Sequence, residues 1–118
     1  MNAHELGKWG EEQADRFLIS KGYIIRERNY RALRGEIDII AMDGSVLVFV
    51  EVKARRGTAH GLPAEAVTPA KQRICIRTAL HYMQRYSMVE HEVRFDVIEV
   101  LYEGSQWHIR HIPNAFVS

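Results

Sequence analysis

Residues 35–53 read GEIDIIAMDGSVLVFVEVK. Two aliphatic runs, at 36–42 and 46–52, are joined by Asp43-Gly44-Ser45, a strong signal for a tight hairpin. The runs are so continuously apolar that both strands read as covered on both faces. Strand side chains alternate, so Glu51 and Lys53 share a face, and Asp38 can meet them from the neighbouring strand across the short turn. Two carboxylates and an ammonium set among Val, Ile and Phe cost stability unless partners or ions compensate. Asp38, Glu51 and Lys53 are therefore candidates for function, although an ordinary cross-strand ion pair near a strand end is the plainer reading.

Reading outward, residues up to about Lys21 form an amphipathic helix with Leu6, Gly10, Ala14, Phe17 and Leu18 at helical spacing, closed by Lys21-Gly22. A strand follows at 23–29. Beyond the hairpin, residues 55–66 read as a basic loop. A second helix begins at Thr68-Pro69 and runs to about Tyr86, with Val67, Ile74, Cys75, Ala79, Tyr82 and Tyr86 towards the core. Strands at 93–101 and 107–112, separated by Glu103-Gly104-Ser105, close the chain. The predicted class is α/β, in the order α-β-β-β-α-β-β. The strand after the second helix runs parallel to the one before it, which gives a mixed sheet with a helix on each side.

The 118 residues, 47% hydrophobic and 26% charged, give room for one globular domain spanning 1–118. No repeat, low-complexity tract or linker interrupts them. No apolar run nears the roughly 18 residues of a membrane span, so no membrane partner is expected. The N-terminus lacks a secretory signal pattern, and lone Cys75 has no internal disulfide partner, so the expected compartment is the cytoplasm. The net charge is only +1, but cations are concentrated in the middle of the chain. Lys21, Arg26, Arg28, Arg31 and Arg34 face Glu27 alone, and a second basic stretch runs from Lys53 to Arg85. This suits a phosphate-rich partner on one face, or equally a solvated mixed surface.

Metal-assisted phosphodiester hydrolysis is the chemistry that uses such a set. Carboxylate oxygens of Asp38 and Glu51, the Val52 backbone carbonyl and waters suit Mg²⁺ or Mn²⁺. A nearby lysine orients the attacking water or stabilises developing charge.

The segments GEIDIIA and VFVEVKARR resemble the YraN family of uncharacterised bacterial proteins over nearly the whole chain. They are more distantly similar to archaeal Holliday-junction resolvases and the restriction-endonuclease-like superfamily. In that superfamily an Asp is followed by Glu or Asp, one residue and Lys; Asp38, Glu51 and Lys53 match, while Ile37 replaces the usual proline before the Asp. The resemblance implies an endonuclease-like fold, and a metal-dependent endonuclease acting on DNA, branched or structured DNA included. The alternative is a non-catalytic nucleic-acid-binding accessory protein that retains the fold; a third reading makes the ionic cluster structural within a protein-interaction domain. A homodimer is compatible with all three.

The resemblance also matches Glu11 to a first-helix acid added to the metal site; by itself Glu11 is equally a favourable acid near a helix N-terminus. Lys71 falls in the apolar stripe of the first turn of the second helix, where a cation opposes the dipole. A phosphate partner explains it, as does a side chain snorkelling past Val67 and Cys75. Arg34, Arg55, Arg56 and Lys71 are the candidate nucleic-acid contacts. Glu36 reads as a surface acid at a strand start. His108 and His111, three apart in a strand, point to opposite faces and make a poor metal pair. Cys75 reads as a buried thiol.

Overall fold

The computed structural model describes residues 1–57 and 67–117. Its elements are α1 (Ala3–Ser20), β1 (Ile24–Ala32), β2 (Gly35–Asp43), β3 (Val46–Arg56), α2 (Pro69–Arg85), β4 (Glu92–Glu103) and β5 (Gln106–Phe116). This is the expected α/β order. The five strands form one sheet in sequence order. All neighbours are antiparallel except β3 and β4, which run parallel.

Each helix starts where its side chains can satisfy free amides. The Asn2 side chain accepts from Glu5 N at 2.8 Å while Glu5 Oε1 accepts from Asn2 N, a reciprocal capping box. Thr68 caps α2 through Lys71 N, and Pro69 follows at the first helical position. Gly22, at φ +90°, turns the chain out of α1 as predicted.

The helices cover opposite faces of the sheet. Ala14 and Leu18 of α1 pack with Ile39, Ala41, Val48, Val50, Ile98 and Val100. Cys75, Ala79, Tyr82 and Met83 of α2 pack with Ile40, Leu47, Phe49, Phe95 and Val97. The approach is closest at two glycines. A Cβ on Gly10 would stand 2.6 Å from the Ala54 Cβ, and one on Gly35 would overlap Thr78 Oγ1.

Four local expectations change, one of them being that β5 runs past Ile112 to Phe116, where it pairs with Phe95. Ile74 and Tyr86 are 38% and 40% exposed, because the stripe of α2 is narrower than its apolar content and runs through Cys75, Thr78, Ala79, Tyr82 and Met83. β3 continues through Lys53 to Arg56 instead of ending at Val52, because its parallel ladder with β4 extends to the Arg56–Tyr102 pair. Arg55 and Arg56 thus lie on a strand, and the remainder of the expected basic loop, 58–66, lies outside the described residues. β1 runs on to Ala32 and turns into β2 through Leu33 and Arg34, at φ +52° and +63°.

Candidate active site

The β2–β3 ladder runs from Asp43–Val46 to Ile39–Val50 and stops there. One further step would pair Asp38 with Glu51. Instead the Asp38 carboxylate takes the place of a backbone acceptor, and its Oδ2 receives the Val52 N–H at 2.8 Å. On its other side the β1–β2 pairs Arg28–Ile39 and Tyr30–Ile37 bracket Asn29, which has a left-handed φ of +51°. Ile37 packs on the α2 side of the sheet, yet Ile39 packs on the α1 side. Residues two apart in a regular strand share a face, so β2 turns over at Asp38. The acid therefore stands where the sheet opens, lining a cavity on each side. One holds Glu51, Lys71, Arg34 and Cys75; the other holds Glu11, Asp15, Arg28 and Asn29.

The electrostatics follow from this position. Burial, and then the charge of Glu51, push the Asp38 carboxyl from 3.8 up to about 7, while the Val52 hydrogen bond resists and Glu11 and Glu36 add to the rise. Burial and the charges of Glu36 and Glu51 likewise raise Glu11. Burial, Glu51 and Asp38 push the Cys75 thiol up to about 12. Four acids thus crowd one end of the sheet.

Two ammonium groups answer them. Glu51 is only 6% exposed; its Oε1 lies 2.6 Å from Lys71 Nζ and 3.5 Å from Lys53 Nζ. Burial would lower the Lys71 pKa, but the Glu51 hydrogen bond and charge outweigh it and the net shift is upward. The cation in the first turn of α2 is thus held by an acid of β3, which offsets its poor place in the helix dipole.

Asp38, Glu51, Lys53 and Lys71 meet at this opening, and Arg34 lines the same cavity as Asp38, Glu51 and Lys71. Glu11 adjoins Asp38 in the cavity on the α1 side and does not line the cavity holding Glu51. Arg55 turns to Glu99 of β4, and Arg56 is exposed at the end of β3. Among the described residues, no three His, Cys, Asp or Glu side chains are gathered in a ready-made cation cage.

Glu36 has a larger part than its sequence reading suggested, and Asn29, not singled out in the sequence, joins it. With its amide turned to donate, Asn29 reaches Glu11 Oε1 at 2.9 Å and Glu36 Oε1 at 3.1 Å. Glu36 also receives Arg31 Nε at 3.0 Å. The tendency of Asn towards left-handed backbone was the available signal for a kink at Asn29. Asp96 was missed altogether. It is fully buried and held by Arg94, His111 and the Asn114 N–H. His111 therefore serves a carboxylate, while His108 is exposed.

Fold and site together define an α/β sandwich that carries a carboxylate pair and two lysines where its inner strands part. The chain belongs to Uncharacterised protein family UPF0102, the YraN family, whose profile matches residues 10–100. It is 46% identical over 121 aligned residues to a UPF0102 protein of Chlorobium phaeobacteroides, covering 98% of this chain and 96% of the relative. A UPF0102 protein of Caldicellulosiruptor saccharolyticus is 47% identical over 118 residues, covering 98% and 100% respectively. One from Symbiobacterium thermophilum is 52% identical over 98 residues, 83% of each chain.

Proposed function

We propose that the open end of the β2–β3 ladder is a divalent-metal-dependent site for hydrolysing phosphodiester bonds in nucleic acid, DNA above all. The observation that carries this reading is the opposition of Asp38 and Glu51 where backbone pairing stops, with Asp38 pushed up to about 7 by burial and its acidic neighbour. Stability alone does not explain such a pair, because an ionised, desolvated carboxylate beside another opposes folding.

The residues fit Mg²⁺ or Mn²⁺: the donors are hard oxygens of Asp38, Glu51 and the Val52 carbonyl, with Glu11 as a third acid beside Asp38. When bound, the ion supplies Lewis-acid polarisation of the phosphate and a more acidic water. Lys53, 3.5 Å from Glu51 Oε1, stabilises charge that develops on the phosphate oxygens. Lys71, Arg34, Arg55 and Arg56 hold the flanking phosphates.

A second reading, a nucleic-acid-binding accessory protein without cleavage, is favoured by Lys71. Its ammonium, 2.6 Å from Glu51, already provides the cation that Glu51 requires.

The deciding experiment combines calorimetric Mg²⁺ and Mn²⁺ titration with a cleavage screen over duplex, single-stranded and four-way-junction DNA and matching RNA. Asp38→Ala is expected to weaken metal binding and abolish cleavage. Lys53→Ala is expected to spare metal binding while cleavage falls by roughly two to four powers of ten. Metal and nucleic-acid binding without cleavage supports the accessory reading; a wild-type chain that binds neither overturns both.

A further inference from the structure

Beyond the opening, the α2 side of the sheet carries a second charged group. Glu99 of β4 is fully buried and lies opposite Lys53 in the parallel β3–β4 register. From β5, its direct partner Arg110 donates to Glu99 Oε1 through Nε at 3.1 Å and Nη2 at 2.6 Å. From β3, Arg55 Nε approaches Glu99 Oε2 to 3.1 Å. That contact lacks hydrogen-bond alignment, and Oε2 has no hydrogen-bond partner among the described residues.

Glu99 therefore binds its two guanidinium groups unequally. Arg110 is clamped. Arg55 is held near the buried charge by attraction, without the paired N–H bonds that an Arg–carboxylate fork makes. A buried carboxylate in such an arrangement is a poor stabilising device, because its desolvation consumes most of the Coulombic gain. It is an effective way to park an arginine beside a site. Arg55 keeps 35% of its side chain exposed and follows Glu51 and Lys53 on the same strand face. Each two-residue step along a strand covers about 6.6 Å, similar to the spacing of successive phosphates in a nucleic-acid strand, so Arg55 stands two steps, about 13 Å, beyond Glu51.

We propose that Arg55 is the contact for the second phosphate along from the one at Asp38 and Glu51, two strand steps away, and that Glu99, braced by Arg110, is its positioning residue. The substrate strand then runs along β3 from the opening towards Arg55. This inference rests on the nucleic-acid reading above and adds to it a direction and a subsite two phosphates along.

The test measures binding of single-stranded oligonucleotides of increasing length by fluorescence anisotropy, with EDTA present and no divalent ion. Wild type is expected to gain affinity in a step when the second flanking phosphate is added. Arg55→Ala is expected to lose that step, bind longer strands about tenfold more weakly, and show a salt slope shallower by about 0.7. Glu99→Gln should weaken binding similarly in the wild type and add nothing in an Arg55→Ala background, yet add fully in an Arg34→Ala background. A merely structural Glu99 would add equally in both. If Glu99→Gln does not fold, the length series with Arg55→Ala alone decides. An unchanged length step or salt slope in Arg55→Ala overturns the inference while leaving metal-dependent cleavage intact. Loss of the step in a protein that cleaves nothing supports the subsite and removes the hydrolytic reading.

Discussion

Replacing Asp38 by Asn in metal-free protein should stabilise the fold, and more so at alkaline pH. The folded-state pKa of Asp38 is raised from 3.8 to about 7, first by burial and then by Glu51. Its favourable contribution is thus fully present below the unfolded value and is lost as pH rises through about 7. At about 1.4 kcal/mol for each tenfold change in proton affinity, Asp38 weighs against folding by roughly 4 kcal/mol at pH 8, where it is buried ionised, and by less than half as much at pH 5, where folding only has to protonate it. Asn removes that charge but keeps an oxygen to accept the Val52 N–H, now bonded at 2.8 Å to Asp38. Because Asp38 is only partly enclosed and Glu51 beside it shares in the repulsion, the advantage of the variant should fall by about 2 kcal/mol between pH 8 and pH 5. Urea denaturation in EDTA at the two pH values measures it directly. A difference that does not change with pH, or a variant less stable than wild type at pH 8, would refute the argument.

Lys71→Met should tighten Mg²⁺ binding in calorimetry, because it removes the ammonium 2.6 Å from Glu51; unchanged or weaker metal binding would contradict competition for that oxygen. The same variant should bind nucleic acid with a salt slope lower by about one. Asp96→Asn should cost about 3 kcal/mol near neutral pH by denaturant titration, since it leaves Arg94 without its buried partner. Burial acts to raise the Asp96 carboxyl, but His111, Arg94 and the Asn114 N–H outweigh it and hold it below 3.8. Its stabilisation is therefore present above the unfolded value and lost as pH falls through the folded one. Acid titration should show wild type losing stability below pH 4 more steeply than Asp96→Asn. Gly35→Ala should destabilise by about 2 kcal/mol or more, because the new methyl meets Thr78 Oγ1 and Ile74 across the β2–α2 contact. A neutral Gly35→Ala variant would mean that α2 can move away freely.

Element order and the central hairpin were legible in the sequence because they depend on local chemistry. Asp43-Gly44-Ser45 sets the β2–β3 turn, Thr68-Pro69 starts α2, and period-two alternation puts Glu51 and Lys53 on one face. The relation of Asp38 to Glu51 followed from the same hairpin, which fixes register by its own length. The turn at Leu33 and Arg34 was hidden, because non-glycine residues hold positive φ there. Its carbonyls are tied to α2 by Arg77 Nη2 at 2.8 Å to Leu33 O, a contact 44 residues away in sequence. The overturning of β2 at Asp38 was equally invisible: it arises because Ile37 and Ile39 each satisfy a different helix. Lys71 reaching Glu51, and Glu99 gathering Arg55 and Arg110, required the parallel β3–β4 pairing and the seat of α2. Local pattern fixes which face a side chain takes. Only packing between distant segments fixes which charge it meets there.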